Sequence, residues 1–209
     1  MKLQVALDLL NLEDAIKIAD MAAGAGAQVL EVGTPLIKSE GLRAIREIKK
    51  RFSDKIIFAD MKIMDTGCLE TEMAAGAGAD IVQVLGAAPD DTIKEAVKAG
   101  KKAGVKICCD LIGIKNPVER AIELEKLGVD YINLHIGIDQ QAKQNYPYQT
   151  LDAICKNTHT PIIVAGGITD KSIEALRKFS NVEIAIVGKH ITSANNPKEA
   201  TKLILSKMI

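Results

Sequence analysis

Apolar positions along the chain follow two rhythms in turn. Compact β-branched runs alternate with longer stretches in which apolar residues return every three or four positions. The runs predict strands and the stretches predict amphipathic helices. Strands are expected at residues 4–8, 29–32, 56–62, 81–85, 107–111, 131–135, 162–165 and 183–187. Helices are expected at 12–25, 41–52, 68–77, 91–103, 117–127, 150–156, 171–179 and 197–208. Strict alternation of the two element types predicts a parallel sheet. The near-continuous apolar character of the strands predicts that both sheet faces are covered.

A short repeat sharpens this picture. Gly26-Ala27-Gln28-Val29, Gly78-Ala79-Asp80-Ile81, Gly104-Val105-Lys106-Ile107 and Gly128-Val129-Asp130-Tyr131 share one layout. Each follows a helical pattern and precedes a strand, where glycine suits a left-handed helix cap. The spacing is roughly 25 residues or a multiple of it, which divides the chain into eight strand–helix units. Eight units predict a single-domain (β/α)8 TIM barrel over residues 1–209, with an open doubly wound sheet as the alternative. At 209 residues the barrel must have short loops.

Composition removes several function classes. Lys plus Arg and Asp plus Glu both number 27, giving zero formal charge, which argues against nucleic acid and anionic membranes as partners. Aromatics are 3% with no Trp, too few for base-stacking platforms. The hydrophobic fraction of 47% and charged fraction of 26% are ordinary for a soluble globular protein. The N-terminus enters a strand directly, with no secretory pattern, and no apolar run approaches the roughly 18 residues of a membrane span. Cys68, Cys108, Cys109 and Cys155 lack CxxC spacing and read as free thiols of a cytoplasmic protein.

Polar residues then fall where a barrel keeps its chemistry, at the C-terminal strand ends. Asp8 follows the first strand, Glu31 ends the second, Asp60 and Lys62 end the third, Asp110 the fifth and His135 the sixth. Opposite charges at the end of an apolar strand are costly unless used, and alternation along the strand predicts that Asp60 and Lys62 share a side. Glu31 and Asp60 are hard oxygen donors on neighbouring strands, suited to Mg²⁺, although Lys62 could neutralise both without a metal. His135 is the candidate for proton transfer. Gly166, Gly167 and Gly188 with Lys189 form glycine turns after strands seven and eight, the usual phosphate position of this fold. His159 precedes strand seven on the opposite face, and His190 has no assigned role.

Asp60-x-Lys62-x-x-Asp65 resembles the DxKxxD motif of the orotidine 5′-monophosphate decarboxylase suprafamily. Within it the chain is similar to the branch that joins formaldehyde to a pentulose phosphate. The stretches from Leu3, Glu31, Ala59, Val82, Ile132, Val164 and Ile186 carry that similarity from end to end. The resemblance implies a lyase: a Mg²⁺-dependent aldol condensation of formaldehyde with D-ribulose 5-phosphate through an enediolate, and the reverse cleavage. It implies Glu31 and Asp60 as metal-site acids, Asp8 and Lys62 as active-site contacts, and a homodimer in which Asp65 serves the partner's site. Gly166, Gly167 and Gly188 match its phosphate loops, where members often carry Arg in place of Lys189. The branch that decarboxylates 3-keto-L-gulonate 6-phosphate places an Arg shortly after the sixth-strand His. Here Gly137-Ile138-Asp139 follow, which favours the aldol branch. A non-catalytic sugar-phosphate-binding barrel is the reading from another class.

Overall fold

The computed structural model of the protein describes residues 1–142 and 145–208. Eight parallel strands close into a barrel in sequence order: β1 (Lys2–Leu7), β2 (Val29–Val32), β3 (Ile56–Ile63), β4 (Ile81–Leu85), β5 (Lys106–Asp110), β6 (Tyr131–His135), β7 (Ile162–Ala165) and β8 (Val182–Val187). β8 closes on β1 with Lys2 opposite Ile184 and Val5 opposite Val187, so the open doubly wound sheet is excluded. The helices are α1 (Leu12–Ala25), α2 (Thr34–Glu40), α3 (Arg43–Arg51), α4 (Gly67–Gly76), α5 (Asp90–Ala103), α6 (Pro117–Leu127), α7 (Tyr148–Asn157), α8 (Asp170–Leu176), α9 (Lys189–Thr192) and α10 (Pro197–Lys207). Among the described residues no helix is long and apolar enough to cross a membrane.

Two helices escape the apolar rhythm. α2 buries only Leu36, too little for a periodic signal, and Gly41 at φ 63° ends it. The helix expected at 41–52 is therefore two, with α3 beginning at Arg43. α9 is a single turn after Gly188.

The core has two compartments. Val29, Phe58, Ile81, Cys108, Ile163 and Ile184 pack inside the barrel. A larger cluster, including Leu30, Ile57, Val82, Cys109 and Ile132, packs between the strands and the helical shell. The adjacent Cys108 and Cys109 thus face opposite sides, as strand alternation requires. Burial raises both thiols, Cys109 to about 12, which keeps them unreactive at neutral pH.

The glycine-led repeat now has a physical meaning. Gly26, Gly78, Gly104 and Gly128 all take positive φ where a helix hands over to a strand. At three of these four joints the residue two places on closes the bottom of the barrel. Gln28 Oε1 accepts the Leu3 N–H at 2.9 Å, Asp80 Oδ2 the Ile57 N–H at 2.7 Å and Asp130 Oδ2 the Ile107 N–H at 2.9 Å. A strand-end donor that would otherwise lack a partner is satisfied at each of these joints. Asp80 also pairs with Lys49 at 2.8 Å.

Asp80→Ala should therefore cost about 1–2 kcal/mol, the penalty for orphaning a partly buried donor. In thermal unfolding that is a drop of roughly 2–8 °C for a chain of this size. Turnover per folded molecule should be unchanged, and Asp80→Asn, which keeps an acceptor, should lose less.

Candidate active site

The top of the barrel interior is polar. Each of β1 to β6 carries a buried polar side chain midway along it or toward its C-terminal end: Gln4, Glu31, Asp60, Gln83, Asp110 and Asn133. They are bonded into a layer. Gln4 Nε2 donates to Glu31 Oε2 at 2.7 Å, and Gln83 Nε2 donates to Asp60 Oδ1 at 2.6 Å and Asp110 Oδ2 at 3.1 Å. Asn133 Nδ2 donates to Gln83 Oε1 at 3.2 Å. Above this layer opens a cleft of about 880 Å³, lined by Asp8, Glu31, Asp60, Lys62, Gln83, Asn133, His135 and the turns at Gly166–Gly167 and Gly188–Lys189.

Lys62 reaches the layer by an irregular route. It sits at φ 47°, the one left-handed non-glycine residue among those described, and the β3–β4 register shifts between Ala59 and Ile63. Asp60 and Lys62 do meet, but through this bulge and not through simple alternation. Lys62 Nζ lies 2.9 and 2.8 Å from the two Asp60 oxygens and 3.5 Å from Asp110 Oδ2. Thr34 Oγ1 donates to Asp60 Oδ2 at 2.7 Å. A left-handed non-glycine residue costs about 1–2 kcal/mol, strain of the kind that gathers at functional sites.

The remaining expected residues divide into two groups. His135 lines the cleft, with Nδ1 2.9 Å from Asp110 Oδ2. Asp110 itself is fully buried behind His135 and does not line the cleft. Lys189 is exposed at the glycine end, beside the hydroxyl-bearing Thr169, Thr192 and Ser193. His190 joins that rim and pairs with Asp170 at 3.2 Å. Asp65 is exposed and lies outside the cleft, in a separate surface groove with Gly67, Thr92 and Glu95. His159 is exposed, away from the site. Gln4, Thr34, Gln83 and Asn133 were not anticipated. The available signal was a lone amide inside each of three apolar strands, at Gln4, Gln83 and Asn133.

Charge in the layer is unbalanced. Burial, reinforced by the Asp60 and Asp8 charges, holds the Glu31 carboxyl well above its ordinary value despite the Gln4 hydrogen bond. Burial and then Asp60 raise Asp8 as well. Burial alone would lower Lys62, but the Asp60 and Asp110 charges outweigh it and raise the ammonium above an ordinary lysine. Lys62 bonds Asp60 and approaches Asp110, yet makes no ion pair with Glu31. The reading in which Lys62 alone satisfies both Glu31 and Asp60 therefore holds for Asp60 only.

The sequence model described as "Orotidine 5'-phosphate decarboxylase / HUMPS family" matches residues 1–204. The chain belongs to this family. The 3-hexulose-6-phosphate synthase of Mycobacterium gastri is 44% identical over 202 residues, covering 97% of each chain. A crystal structure of 3-hexulose-6-phosphate synthase superposes with a TM-score of 0.95 at 43% identity over 100% of both chains. The 3-keto-L-gulonate-6-phosphate decarboxylase of Vibrio cholerae gives 0.87 at 26% identity, covering 99% of this chain and 96% of its own. The orotidine 5'-phosphate decarboxylase/HUMPS assignment thus spans the barrel and its mouth together.

A carboxyl raised above its unfolded value costs stability once pH passes the ordinary carboxylate range near 4, and the cost is complete above the raised value. Glu31→Gln removes that cost, and its amide can turn toward Gln4 Oε1, a buried acceptor with no partner. The metal-free variant should be more stable than wild type at neutral pH, by roughly 1–3 kcal/mol. The gap should shrink as pH falls toward 4, read by thermal melts in chelator.

Proposed function

We propose that this chain condenses formaldehyde with D-ribulose 5-phosphate to give D-arabino-3-hexulose 6-phosphate, and catalyses the reverse cleavage, as a 3-hexulose-6-phosphate synthase. The observation that carries the reading is the Lys62 ammonium, held charged by Asp60 and Asp110, in one cleft with His135 and the two glycine turns. Identity of 44% over nearly the full length to a synthase supports it.

Each group has a task in that chemistry. The turns at Gly166–Gly167 and Gly188, with Lys189, receive the phosphate through backbone N–H groups and one positive charge. Asp8, at the end of β1 beside the Gly188 turn, contacts the sugar. His135 takes a proton from C1 of the ketose. Lys62 stabilises the negative charge that develops on the enediolate oxygen. C1 then attacks the formaldehyde carbon, and the new alkoxide takes the proton back from His135. Lys62 does not form a Schiff base, because an ammonium held charged is no nucleophile.

Glu31 and Asp60 fit Mg²⁺, which needs only one or two carboxylates and keeps water in its other positions. The excess negative charge and the lack of a cation on Glu31 favour it. Among the described residues no group of three or more His, Cys, Asp and Glu side chains forms a cage for a metal. Asp60 has both oxygens occupied by Lys62, so metal binding there requires the ammonium to give way on one side. When bound, the ion supplies Lewis acidity and a template for vicinal sugar oxygens.

The rival decarboxylation of 3-keto-L-gulonate 6-phosphate is disfavoured at the segment after His135. Ile138 is exposed and lines the cleft with Ile112 and Gly137, so this wall offers no guanidinium. A homodimer completes the reading. Asp65 projects from a surface that also exposes Met64, Leu69 and Met73, an apolar face suited to a second copy whose cleft Asp65 would enter.

Formaldehyde should be consumed only with ribulose 5-phosphate present, and chelation should abolish the activity until Mg²⁺ is restored. Turnover that survives full chelation would remove the metal role of Glu31 and Asp60; no turnover with added Mg²⁺ would remove the aldol reading. Asp65→Asn and Lys62→Ala proteins should each be nearly inactive. Mixed under conditions of subunit exchange, they should regain up to about a quarter of wild-type activity, the share expected when one site of a hybrid dimer is intact in half the dimers. Proven exchange without recovery counts against the shared site.

A further inference from the structure

We propose that Asp110 is a positioning residue that sets the tautomer of His135, placing the ring proton on Nδ1 and a lone pair on Nε2 toward the cleft. The tautomer assignment stands on geometry alone; its catalytic consequence rests on the aldol reading above.

Asp110 is poorly placed to touch a substrate. It is 0% exposed, and its oxygens are engaged by protein groups. Oδ1 accepts the Ile112 N–H at 2.9 Å, which pins the carboxylate to the loop after β5. Oδ2 accepts the Gln83 amide at 3.1 Å and faces the Lys62 ammonium at 3.5 Å. The same oxygen lies 2.9 Å from His135 Nδ1. An oxygen already receiving donors is an acceptor there, so a lone pair on Nδ1 would oppose it. Nδ1 must carry the proton.

That choice fixes the other nitrogen. In a neutral imidazole with its proton on Nδ1, Nε2 is the acceptor. Among the described residues no protein group hydrogen-bonds Nε2, and the ring is 20% exposed at the cleft wall. His135 is thereby presented as a base before any substrate arrives. The opposite tautomer would offer the cleft an N–H and could not remove a C1 proton. Gln83 restrains the arrangement further. Both its N–H bonds are committed, to Asp60 and Asp110, so the Asp110 carboxylate cannot rotate without breaking the layer.

Asp110→Leu tests this directly, because it leaves Nδ1 facing no acceptor and so removes what holds the proton there. The chain has three histidines, so His159→Gln and His190→Gln proteins assign the His135 signals. Long-range proton–nitrogen NMR, at a pH where the ring is neutral, should show a protonated Nδ1 in wild type and a ring protonated mainly on Nε2 in Asp110→Leu. Solvent exchange of the C1 proton of ribulose 5-phosphate should fall by about 10²–10⁴-fold in the variant. The inhibition constant of inorganic phosphate should stay within about threefold. A wild-type ring protonated on Nε2 overturns the proposal. So does an Asp110→Leu protein with the tautomer unchanged, or one whose exchange is unaffected although the tautomer has switched. If Asp110→Leu does not fold, the wild-type spectrum decides the tautomer and Asp110→Ser tests the dependence: mixed tautomers support it, an unchanged ring overturns it. A wild-type protein that neither exchanges nor condenses removes the aldol reading and leaves the tautomer result to stand on the spectrum.

Discussion

The Lys62 ammonium is the cation bonded into the acidic layer at the barrel mouth, and the rest of the site depends on it. Glu31, Asp60 and Asp110 converge on a low-dielectric layer, with the exposed Asp8 above it, and each like charge makes the next more costly. Lys62 offsets two of them and leaves the others raised. Buried ion clusters of this kind seldom add stability, so fold economy does not explain it. The left-handed backbone at Lys62 and the bulge in β3 add strain at the same place. Strain and charge imbalance coincide at one end of the barrel, while the opposite end is closed by well-satisfied hydrogen bonds at Gln28, Asp80 and Asp130.

The amides explain how so many carboxylates are held apart. Gln4 serves Glu31, and Gln83 divides its two N–H groups between Asp60 and Asp110. A neutral donor between two acids fixes their orientation without adding charge. The layer is nevertheless short of donors: Gln4 Oε1 and Asn133 Oδ1 are buried acceptors without a partner. The deficit has the same sense as the charge imbalance. A ligand that brings positive charge and hydroxyl donors would complete the layer, which is the character of a metal ion with a polyol phosphate.

Strand positions were legible in the sequence because buried parallel strands are apolar on both faces and are bounded by glycine caps. Each predicted strand lies within two residues of its observed ends. The charged strand-end residues were legible too, since Asp60 and Lys62 interrupt an apolar run. The route by which they meet was not. Alternation predicts a shared side, whereas the left-handed turn at Lys62 depends on tertiary contacts with Asp60 and Asp110. Gln83 and Asn133 were hidden by the same apolar runs that revealed their strands. Asp110 was recognised as a site residue, but only its burial behind His135 separates a group that orients from one that binds.

The glycine turns proposed to hold the phosphate and the strand end that carries His135 are tied by a packing constraint. Gly166 adopts φ 101°, and a side chain there would run into the backbone of Ile136, the residue after His135. Ile136 N–H in turn bonds Ala165 O at 3.1 Å, so the first glycine turn and the start of the loop after β6 form one rigid joint. This matters because Lys189 is a flexible point charge and cannot orient a phosphate as a bidentate guanidinium would. Orientation must come from the backbone of the glycine turns, and that backbone is locked to the strand end that carries His135. On the aldol reading, the distance between the phosphate and His135 is then set by the barrel itself, and the residue after Gly188 needs to supply only charge.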